Sequence, residues 1–344
     1  MTAVVYQTIN SPLSQARQDK FLNVTVPFVA FGLALGMHVP MSLGWKSIFI
    51  PNFEIKKMRK LMVKYRPQLI MGTQIYFDPM VSFTRFDYRH TKAMLMGGMP
   101  TNSEFEKRLN NTIKNIMVLF KWVRVYSMTE ASAMGTCSFD GVNEIGSDGI
   151  PMPKTVIAAF GQDTDYELPY NTIGEICIKT PTMMLGYYKN EEETKKLIRK
   201  HSDGAYWIHS GDLGYITENG FIYIKDRMKR MIIFSGYKIF PAEIENSFMG
   251  LSEIEKCCVV AMDDEKNDKV PADFVSLKDK NLSKDKYENI KLELYKKMDQ
   301  DGLPSYFKPK EIFVIDEFPI INAGKVDYKK LEEKANFYVN NKKK

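Results

Sequence analysis

Residues 206–245 read YWIHSGDLGYITENGFIYIKDRMKRMIIFSGYKIFPAEIE, and they carry the clearest signals for the fold. Within them, Glu-Asn-Gly at 218–220 separates two apolar runs, 215–217 and 221–225. Asn-Gly between apolar runs is a strong hairpin signal because its backbone readily takes positive φ. The stretch therefore predicts a β-hairpin, after which the character of the chain changes.

A separate module is predicted to begin at Arg227 and to run to the end of the chain. One of its helices is predicted to have Ser283 as N-cap and to stop at Gly302 and Pro304. Three or four strands with three helices make a small α+β domain of the size of an independent unit. The predicted strands are 231–234, 254–262, 270–278 and 311–315, and the predicted helices are 241–249, 284–301 and 328–336.

Upstream of this module, residues 1–226 mix short apolar runs with amphipathic helices. The segment 55–65 places its apolar side chains on one helical face, Pro67 stops the helix, and Leu69–Gly72 follows as a buried strand. Such helix-then-strand alternation indicates an α/β layer. Near the middle the chain changes to β structure, because Gly174–Lys179 alternates like a strand.

The composition excludes several classes of protein. The chain has 344 residues, of which 44% are hydrophobic and 26% are charged, and its net charge is +6. This length fits two domains, and the composition is that of a globular protein rather than a disordered or collagen-like one. The basic run at 342–344 is predicted to be a solvated end, so no nucleic-acid partner is expected.

Cysteine spacing and apolar runs bear on the compartment. None of Cys137, Cys177, Cys257 and Cys258 forms a C-x-x-C pair, so neither a zinc site nor a disulfide framework is predicted. A reducing, cytoplasmic setting fits best. The most apolar segment, 24–39, is shorter than the ~20 apolar residues that a spanning helix needs. It is predicted to be buried core, and no stable membrane insertion is expected.

Two short stretches contain glycines or polar residues that packing alone does not select. Gly-Gly-Met-Pro at 97–100 follows an apolar run. Glycines after a strand let the backbone approach a flat ligand, although a plain turn explains them equally well. Tyr-Ser-Met-Thr-Glu at 126–130 offers an aromatic face, a hydroxyl donor and a carboxylate suited to Mg²⁺. Thr and Glu are equally common in a helix cap.

Two further stretches have the same character. Ser-Gly-Asp at 210–212 sets a carboxylate beside a glycine, where it can accept both hydroxyls of a ribose or form a local Asx-turn. Gly-Lys at 324–325 holds a lysine that can act as a mobile cation against developing negative charge. A Gly-Lys pair is also common in surface turns. Taken singly, each of the four stretches leaves both interpretations open.

Taken in order, these stretches resemble the adenylate-forming superfamily of acyl-CoA synthetases, luciferases and peptide-synthetase adenylation domains. The resemblance extends from about Pro27 to Leu331. It implies a partial large domain over 1–226, with α/β layers and a β-barrel-like portion, followed by a small α+β domain over 227–344. The collinear motifs are Gly-Gly-x-Pro, Tyr-x-x-Thr-Glu, Gly-Glu-Ile…Gly-Tyr-Tyr (174–188), Ser-Gly-Asp, Asp-Arg-x-Lys, Gly-Tyr-x-Ile-x-Pro-x-Glu-Ile-Glu (236–245) and Pro-x-x-x-x-Gly-Lys.

The resemblance also implies roles for individual residues. Lys325 would be the catalytic lysine that bridges the substrate carboxylate and the α-phosphate, with Thr129 at that phosphate and Glu130 holding Mg²⁺. Lys229 lies where the family has its hinge, and rotation there would let one cleft serve two half-reactions. The other implied contacts are Gly98 and Met99 with adenine and the acyl group, Tyr126 with adenine, Asp212 with the ribose hydroxyls, Arg227 near the ribose, and Gly236 and Tyr237 in the pantetheine tunnel.

One family feature is missing from the sequence. No Ser/Thr/Gly-rich loop ending in Lys-Gly, which wraps the β- and γ-phosphates of ATP, occurs in the chain. Backbone N–H groups of such a loop bind the pyrophosphate leaving group, so little ATP-driven adenylation is expected from this chain alone. A truncated gene model or a split gene is the leading explanation, and a genuinely short protein is the alternative. An in-frame coding segment for the loop upstream of Met1 would identify truncation.

Three functions are compatible with the sequence. The first is an AMP-forming acid–CoA ligase, which uses ATP, Mg²⁺ and CoA to activate and transfer a carboxylic acid; residues 235–241 favour it. The second is an adenylation domain that loads a phosphopantetheine carrier protein, with which Gly-Lys-Val-Asp at 324–327 is compatible. The third is a non-catalytic nucleotide- or acyl-binding remnant, which the missing phosphate loop suggests.

Overall fold

The structure is a computed structural model that describes residues 19–50, 53–98, 103–115, 121–138, 144–264, 268–279, 284–321 and 326–342. Contacts within the chain divide it into two compact units, one ending at Ile224 and the other beginning at Lys225. The predicted fold class is confirmed, since the first unit joins a parallel α/β layer to an antiparallel sheet and the second is a small α+β unit. Among the described residues, no helix has both the length and the apolar character of a membrane span.

A parallel sheet forms the base of the first unit. Its strands are β1 Lys20–Asn23, β2 Lys46–Phe49, β3 Leu69–Gly72, β4 Ala93–Gly97 and β5 Lys121–Val125. They lie in the order β2-β1-β3-β4-β5. Every residue of β3 and β4 is buried, as expected of parallel strands that are covered on both faces. The strand predicted at Leu69–Gly72 is confirmed.

Short helices cover this sheet. The helix predicted at 55–65 is confirmed, although its first turn, Ile55–Lys57, is a 3₁₀ turn. Met58 and Met62, on its predicted apolar face, are fully buried. The α-helices of this unit are α1 Val39–Leu43, α2 Met58–Tyr65, α3 Gln74–Phe77, α4 Arg85–Tyr88, α5 Ser103–Asn115 and α6 Glu191–Leu197, with further 3₁₀ turns at Asp78–Ser82 and Thr129–Ala131.

The apolar segment 24–39 is core only in part. Its second half forms a π-helix, Phe31–His38, in which Phe31 and Leu35 are buried. A Cβ on Gly32 would lie 2.0 Å from the carbonyl oxygen of Val26, so the helix packs too closely for any larger residue there. Phe28, however, is 78% exposed. The prediction of buried core is therefore correct for most of the helix, but it is wrong for Leu33 within it and for residues 26–28 before it, all of which are exposed.

An antiparallel sheet follows in the first unit. Its strands are β8 Val156–Phe160, β9 Gly174–Lys179, β10 Ile198–Lys200, β11 Tyr206–Ile216 and β12 Ile222–Arg227, preceded by the small pair β6 Thr136–Cys137 and β7 Ile150–Pro151. The last three residues of β12 are counted with the second unit. The order is β10-β11-β9-β8, with β12 paired to β11. The predicted hairpin is thus confirmed, and Gly220 supplies its positive φ of +82°.

A buried group of three charged side chains fastens β5 to its surroundings. Arg124 donates to Glu106 at 2.7 Å and to Asp148 at 3.0 Å. The second oxygen of Glu106 accepts from the N–H of Gly146, and that of Asp148 accepts from the N–H of Ile224, each at 2.9 Å. Burial raises the pKa of both carboxyl groups, and the charge of Arg124 opposes that rise. The strand that leads to Tyr126 is therefore held by one buried cation.

The second unit is built around another sheet. Its strands are β13 Ile232–Phe234, β14 Tyr237–Ile239, β15 Ile254–Asp264, β16 Asp268–Leu277 and β17 Glu311–Val314, and its helices are α7 Pro241–Phe248, α8 Lys284–Gln300 and α9 Tyr328–Lys342, with 3₁₀ turns at Met228–Arg230 and Ser305–Phe307. The sheet order is β14-β13-β16-β15, with β17 on β16. The predicted strands and helices of this unit are confirmed, whereas the predicted N-cap Ser283 lies outside the described residues. The sequence missed β14, which is too short to show a period.

Candidate active site

Two predicted site residues follow neighbouring strands at the carboxyl edge of the parallel sheet. Gly97, the last residue of β4, is in register with Val125, the last residue of β5. Gly98 comes next with a φ of +79°, and Tyr126 directly follows β5. A Cβ on Gly97 would lie 2.8 Å from the Val125 carbonyl oxygen, so this close approach requires glycine. Open α/β sheets bind ligands outside the carboxyl ends of their strands. The predicted Met99 lies outside the described residues.

Tyr126 and Asp212 are joined directly, although 86 positions separate them in the sequence. The Tyr126 hydroxyl donates to Oδ2 of Asp212 at 2.6 Å, so the edge of the parallel sheet meets the antiparallel sheet at this bond. Burial, and then the Asp212 charge, raise the pKa of Tyr126 well above its ordinary value. The phenol therefore stays protonated and remains a donor to the carboxylate.

Asp212 lies in a β-bulge of β11. The register of β11 with β9 shifts between His209 and Leu213. Gly211 takes a φ of +70°, which L side chains rarely adopt, and the N–H of Asp212 donates to Oγ of Ser210 at 3.0 Å. Bulges re-aim single side chains out of a regular strand. The bulge is therefore the local feature that directs the Asp212 carboxylate toward Tyr126.

The predicted Thr129 and Glu130 begin a single 3₁₀ turn, Thr129–Ala131, just after Tyr126. Thr129 is exposed and Glu130 is half-buried. Oε1 of Glu130 accepts from the hydroxyl of Tyr187 at 2.6 Å. Burial and Glu130 together raise the pKa of Tyr187 to about 12. A carboxylate steadied by one donor, on a turn open to solvent, has the oxygen chemistry that Mg²⁺ prefers.

The remaining predicted residues belong to the second unit. Arg227 and Lys229 have exposed side chains, at the end of β12 and in the 3₁₀ turn that follows. Gly236 takes a φ of +85° in the turn between β13 and β14. Tyr237 is 57% exposed and stacks on Tyr306, with ring centroids 4.7 Å apart. The turn thus presents an open glycine beside an aromatic pair.

The predicted catalytic lysine, Lys325, lies outside the described residues, but its flanks are described. Ile320 and Val326 pair across the segment 322–325. The N–H of Asp327 donates to the carbonyl of Pro319 at 2.9 Å. The first residue of α9, Tyr328, packs under the Arg230 guanidinium, whose carbon lies 4.3 Å from the ring centroid. Both ends of the lysine-bearing segment are therefore anchored.

Three side chains at the site carried no role in the sequence analysis. They are Tyr187, which donates to Glu130, and Glu175 and His209, which lie behind the Asp212 bulge. A signal for Glu175 existed, since an acidic residue in the buried strand Gly174–Lys179 needs partners. Nothing in the sequence indicated which partners these would be, because they come from β11.

Comparison with known proteins places the chain in a family. The profile of the AMP-binding enzyme family matches residues 1–188, and that of the AMP-binding enzyme C-terminal domain matches residues 243–325. The chain belongs to the AMP-binding enzyme family. The resemblance to the adenylate-forming family that the motifs indicate is confirmed.

Similar proteins include two that are named as CoA ligases. A probable 4-coumarate–CoA ligase of Dictyostelium discoideum is 30% identical across 79% of this chain and 48% of its own length. A long-chain-fatty-acid–CoA ligase of Bacillus subtilis is also 30% identical, across 93% of this chain and 55% of its own length. The chain thus spans about half the length of the curated relatives that it matches.

Solved structures share the fold. ATP-bound MatB from Rhodopseudomonas palustris superposes with a TM-score of 0.84 at 22% identity, over 97% of this chain and 63% of that one. The o-succinylbenzoate CoA synthetase of Bacillus subtilis, in complex with its acyl-adenylate intermediate, superposes with a TM-score of 0.81 at 22% identity, over 96% of this chain and 64% of that one.

Proposed function

We propose that this chain supplies the nucleotide-binding and acyl-transfer parts of an AMP-forming acid–CoA ligase. The bond between Tyr126 and Asp212 carries the proposal, because it sets an aromatic ring and a carboxylate together at the carboxyl edge where Gly98 opens the backbone. The Tyr126 ring would stack on adenine. The Asp212 carboxylate has about four acceptor positions, so it can hold two ribose hydroxyls while Tyr126 occupies one position.

The acid-activation step would use the turn after Tyr126. Thr129 would donate its hydroxyl to the α-phosphate, and the Glu130 carboxylate would hold Mg²⁺ with water. When bound, Mg²⁺ offsets the negative charge on the phosphates. Tyr187 would keep one Glu130 oxygen oriented. We place Met99 beside Gly98 at the adenine and acyl group, on the resemblance alone.

The second unit would contribute the mobile cation and the thiol route. We propose Lys325 as the lysine that bridges the carboxylate and the α-phosphate while the acyl-adenylate forms. We assign the hinge to Lys229, with residues 1–226 and 227–344 as the two domains, and place Arg227 near the ribose. Gly236 and Tyr237 would line the pantetheine route, where an open glycine and an exposed aromatic ring suit a narrow chain.

The substrate would be a carboxylic acid with a large apolar part. The two named relatives act, by their names, on 4-coumarate and on long-chain fatty acids. Four buried free thiols suit a reducing compartment, so we propose the cytoplasm as the site of action.

The acyl-transfer step provides the direct test, because it does not use the β- and γ-phosphates. Supplied with dodecanoyl-AMP or 4-coumaroyl-AMP and CoA, the chain is expected to form the thioester. The CoA thiolate attacks the acyl carbon, the acyl–phosphate bond breaks, and AMP leaves. Thioester and AMP are measured by liquid chromatography, and they should appear in equal amounts.

The controls separate the alternatives. A Gly236→Trp variant, which fills the proposed pantetheine route, should bind AMP normally and form at least about tenfold less thioester. Phosphopantetheinyl carrier protein replaces CoA in a parallel reaction, and transfer to it alone would identify a carrier-loading domain. AMP binding with no transfer to either thiol would identify a non-catalytic nucleotide-binding protein.

Backbone strain at the bulge gives a second prediction. Replacing Gly211 with alanine is expected to weaken AMP binding about tenfold, because a left-handed residue with a Cβ costs about 1–2 kcal/mol and relaxation of the bulge moves Asp212. Calorimetric titration with AMP measures the change. Gly220→Ala is the matched control: its φ is +82°, and like Gly211 it has nothing within 4 Å of a built Cβ. AMP affinity should stay within about twofold in this control.

A further inference from the structure

A buried chain of hydrogen bonds lies behind the Asp212 bulge. Oε1 of Glu175 accepts from the N–H of Gly211 at 3.0 Å, and Oε2 lies 2.8 Å from Nδ1 of His209. Nε2 of His209 lies 2.9 Å from Nε2 of His201. Glu175 and His209 are both at most 5% exposed. These hydrogen bonds thus link His201, through His209 and the Glu175 carboxylate, to the backbone N–H of Gly211, the residue before Asp212.

The hydrogen bonds among Glu175, His209 and His201 have matching donors and acceptors. Burial alone would raise the pKa of Glu175, but the hydrogen bond and charge of His209 outweigh it and lower that pKa. The ionised carboxylate accepts from Nδ1–H of His209, and one of the facing Nε2 atoms of His209 and His201 donates to the other. His201 is itself set by stacking on Trp207, with ring centroids 5.5 Å apart.

The three side chains Glu175, Cys177 and His209 are of types that also bind zinc, and their ligand atoms lie within 4.8 Å of one another. Both oxygens of Glu175 already have partners in Gly211 and His209. Sγ of Cys177 lies 3.5 Å from Nδ1 of His209, as in a weak hydrogen bond. Hydrogen bonding therefore accounts for each group without a metal.

We propose that Glu175, held in place by His209, is a positioning residue for the Asp212 carboxylate. A bulge leaves backbone N–H groups without ladder partners, and Gly211 satisfies its N–H with Glu175 instead of a strand neighbour. Glu175 thereby fixes the direction in which the next residue leaves the strand. The inference rests on the proposed role of Asp212 in holding the ribose hydroxyls.

The test compares AMP with 2′,3′-dideoxy-AMP, which lacks those hydroxyls. The parent chain is expected to prefer AMP by about tenfold or more, since sites built for hydroxyls reject analogues without them. Glu175→Met keeps the side-chain volume and removes both acceptors, and its preference should fall below about threefold. A variant that is merely less stable would bind both nucleotides equally less and would keep the ratio.

Two further variants sharpen the result. Glu175→Gln retains an oxygen for the Gly211 N–H and should restore most of the preference, whereas Cys177→Ala, on the same buried face of β9, should leave it within about twofold. A Glu175→Met chain that keeps the parent's ratio overturns the positioning role.

If Glu175→Met does not fold, His209→Phe takes its place, because it removes the Nδ1–H donor and keeps the ring. A ratio at least threefold below the parent's supports the proposal, and a smaller change overturns it. A parent chain that binds both nucleotides equally overturns the ribose role of Asp212, and the positioning role falls with it.

Discussion

Replacement of Arg124 by methionine is expected to lower the free energy of unfolding by about 3–5 kcal/mol, because two buried carboxylates then lack their cation. Glu106 is 0% exposed and Asp148 is 6% exposed, so neither can turn to solvent. Urea unfolding followed by circular dichroism measures the change. Methionine keeps much of the packing volume of arginine, so the measured loss of stability reflects the missing charge rather than a cavity.

Arg108→Met is the matched control for this change. Arg108 pairs with Asp78 at 2.8 Å, but both side chains are more than half exposed. Exposed pairs contribute about 0–1 kcal/mol, so this variant should stay close to the parent. Equal losses from Arg108→Met and Arg124→Met would contradict the structural role of the buried group.

The decrease in the free energy of unfolding caused by Arg124→Met should also depend on pH. Arg124 opposes the rise that burial imposes on the pKa of Glu106 and of Asp148, so its removal raises both further. The folded variant then binds more protons than its unfolded chain, and its stability falls as pH rises through those raised values. The difference from the parent is therefore expected to be smaller near about pH 5 than near about pH 8.

The second large effect is expected at Asp212. Asp212→Ala should raise the Kd for AMP at least ~100-fold, because each hydrogen bond to a charged group contributes about 1.5–3 kcal/mol and two are lost. Calorimetric titration measures the affinity, and thermal unfolding by circular dichroism checks the fold. Asp212→Asn keeps one acceptor oxygen and should fall between parent and alanine variant.

Tyr126→Phe tests whether the loss of AMP affinity in Asp212→Ala comes from the carboxylate itself or from its hydrogen bond with Tyr126. It removes the hydroxyl that donates to Asp212 at 2.6 Å but keeps the aromatic ring. AMP affinity should change by less than about fivefold, since stacking is retained. A loss of less than threefold in Asp212→Ala would show that the carboxylate does not hold the nucleotide.

Much of the architecture was accessible from local pattern. The hairpin around Gly220 and the strand at Leu69–Gly72 follow from period and turn chemistry over a few residues. The strands and helices from β13 to α9 were also predicted from local pattern, except for the three-residue β14. Phe28 was placed wrongly because apolar character does not tell a buried residue from one in a surface turn.

The order of the motifs was enough to predict the family, because each motif is a local set of backbone and side-chain requirements. It also determined which side chains were candidates, Tyr126 and Asp212 among them. That these two side chains meet became evident only in the folded structure, where Asp212 lies in a bulge whose Gly211 N–H donates to Glu175 on the neighbouring strand. The cause is strand register, because the side chains that face each other across β9 and β11 depend on a two-residue shift between His209 and Leu213. Local sequence patterns do not indicate such a shift.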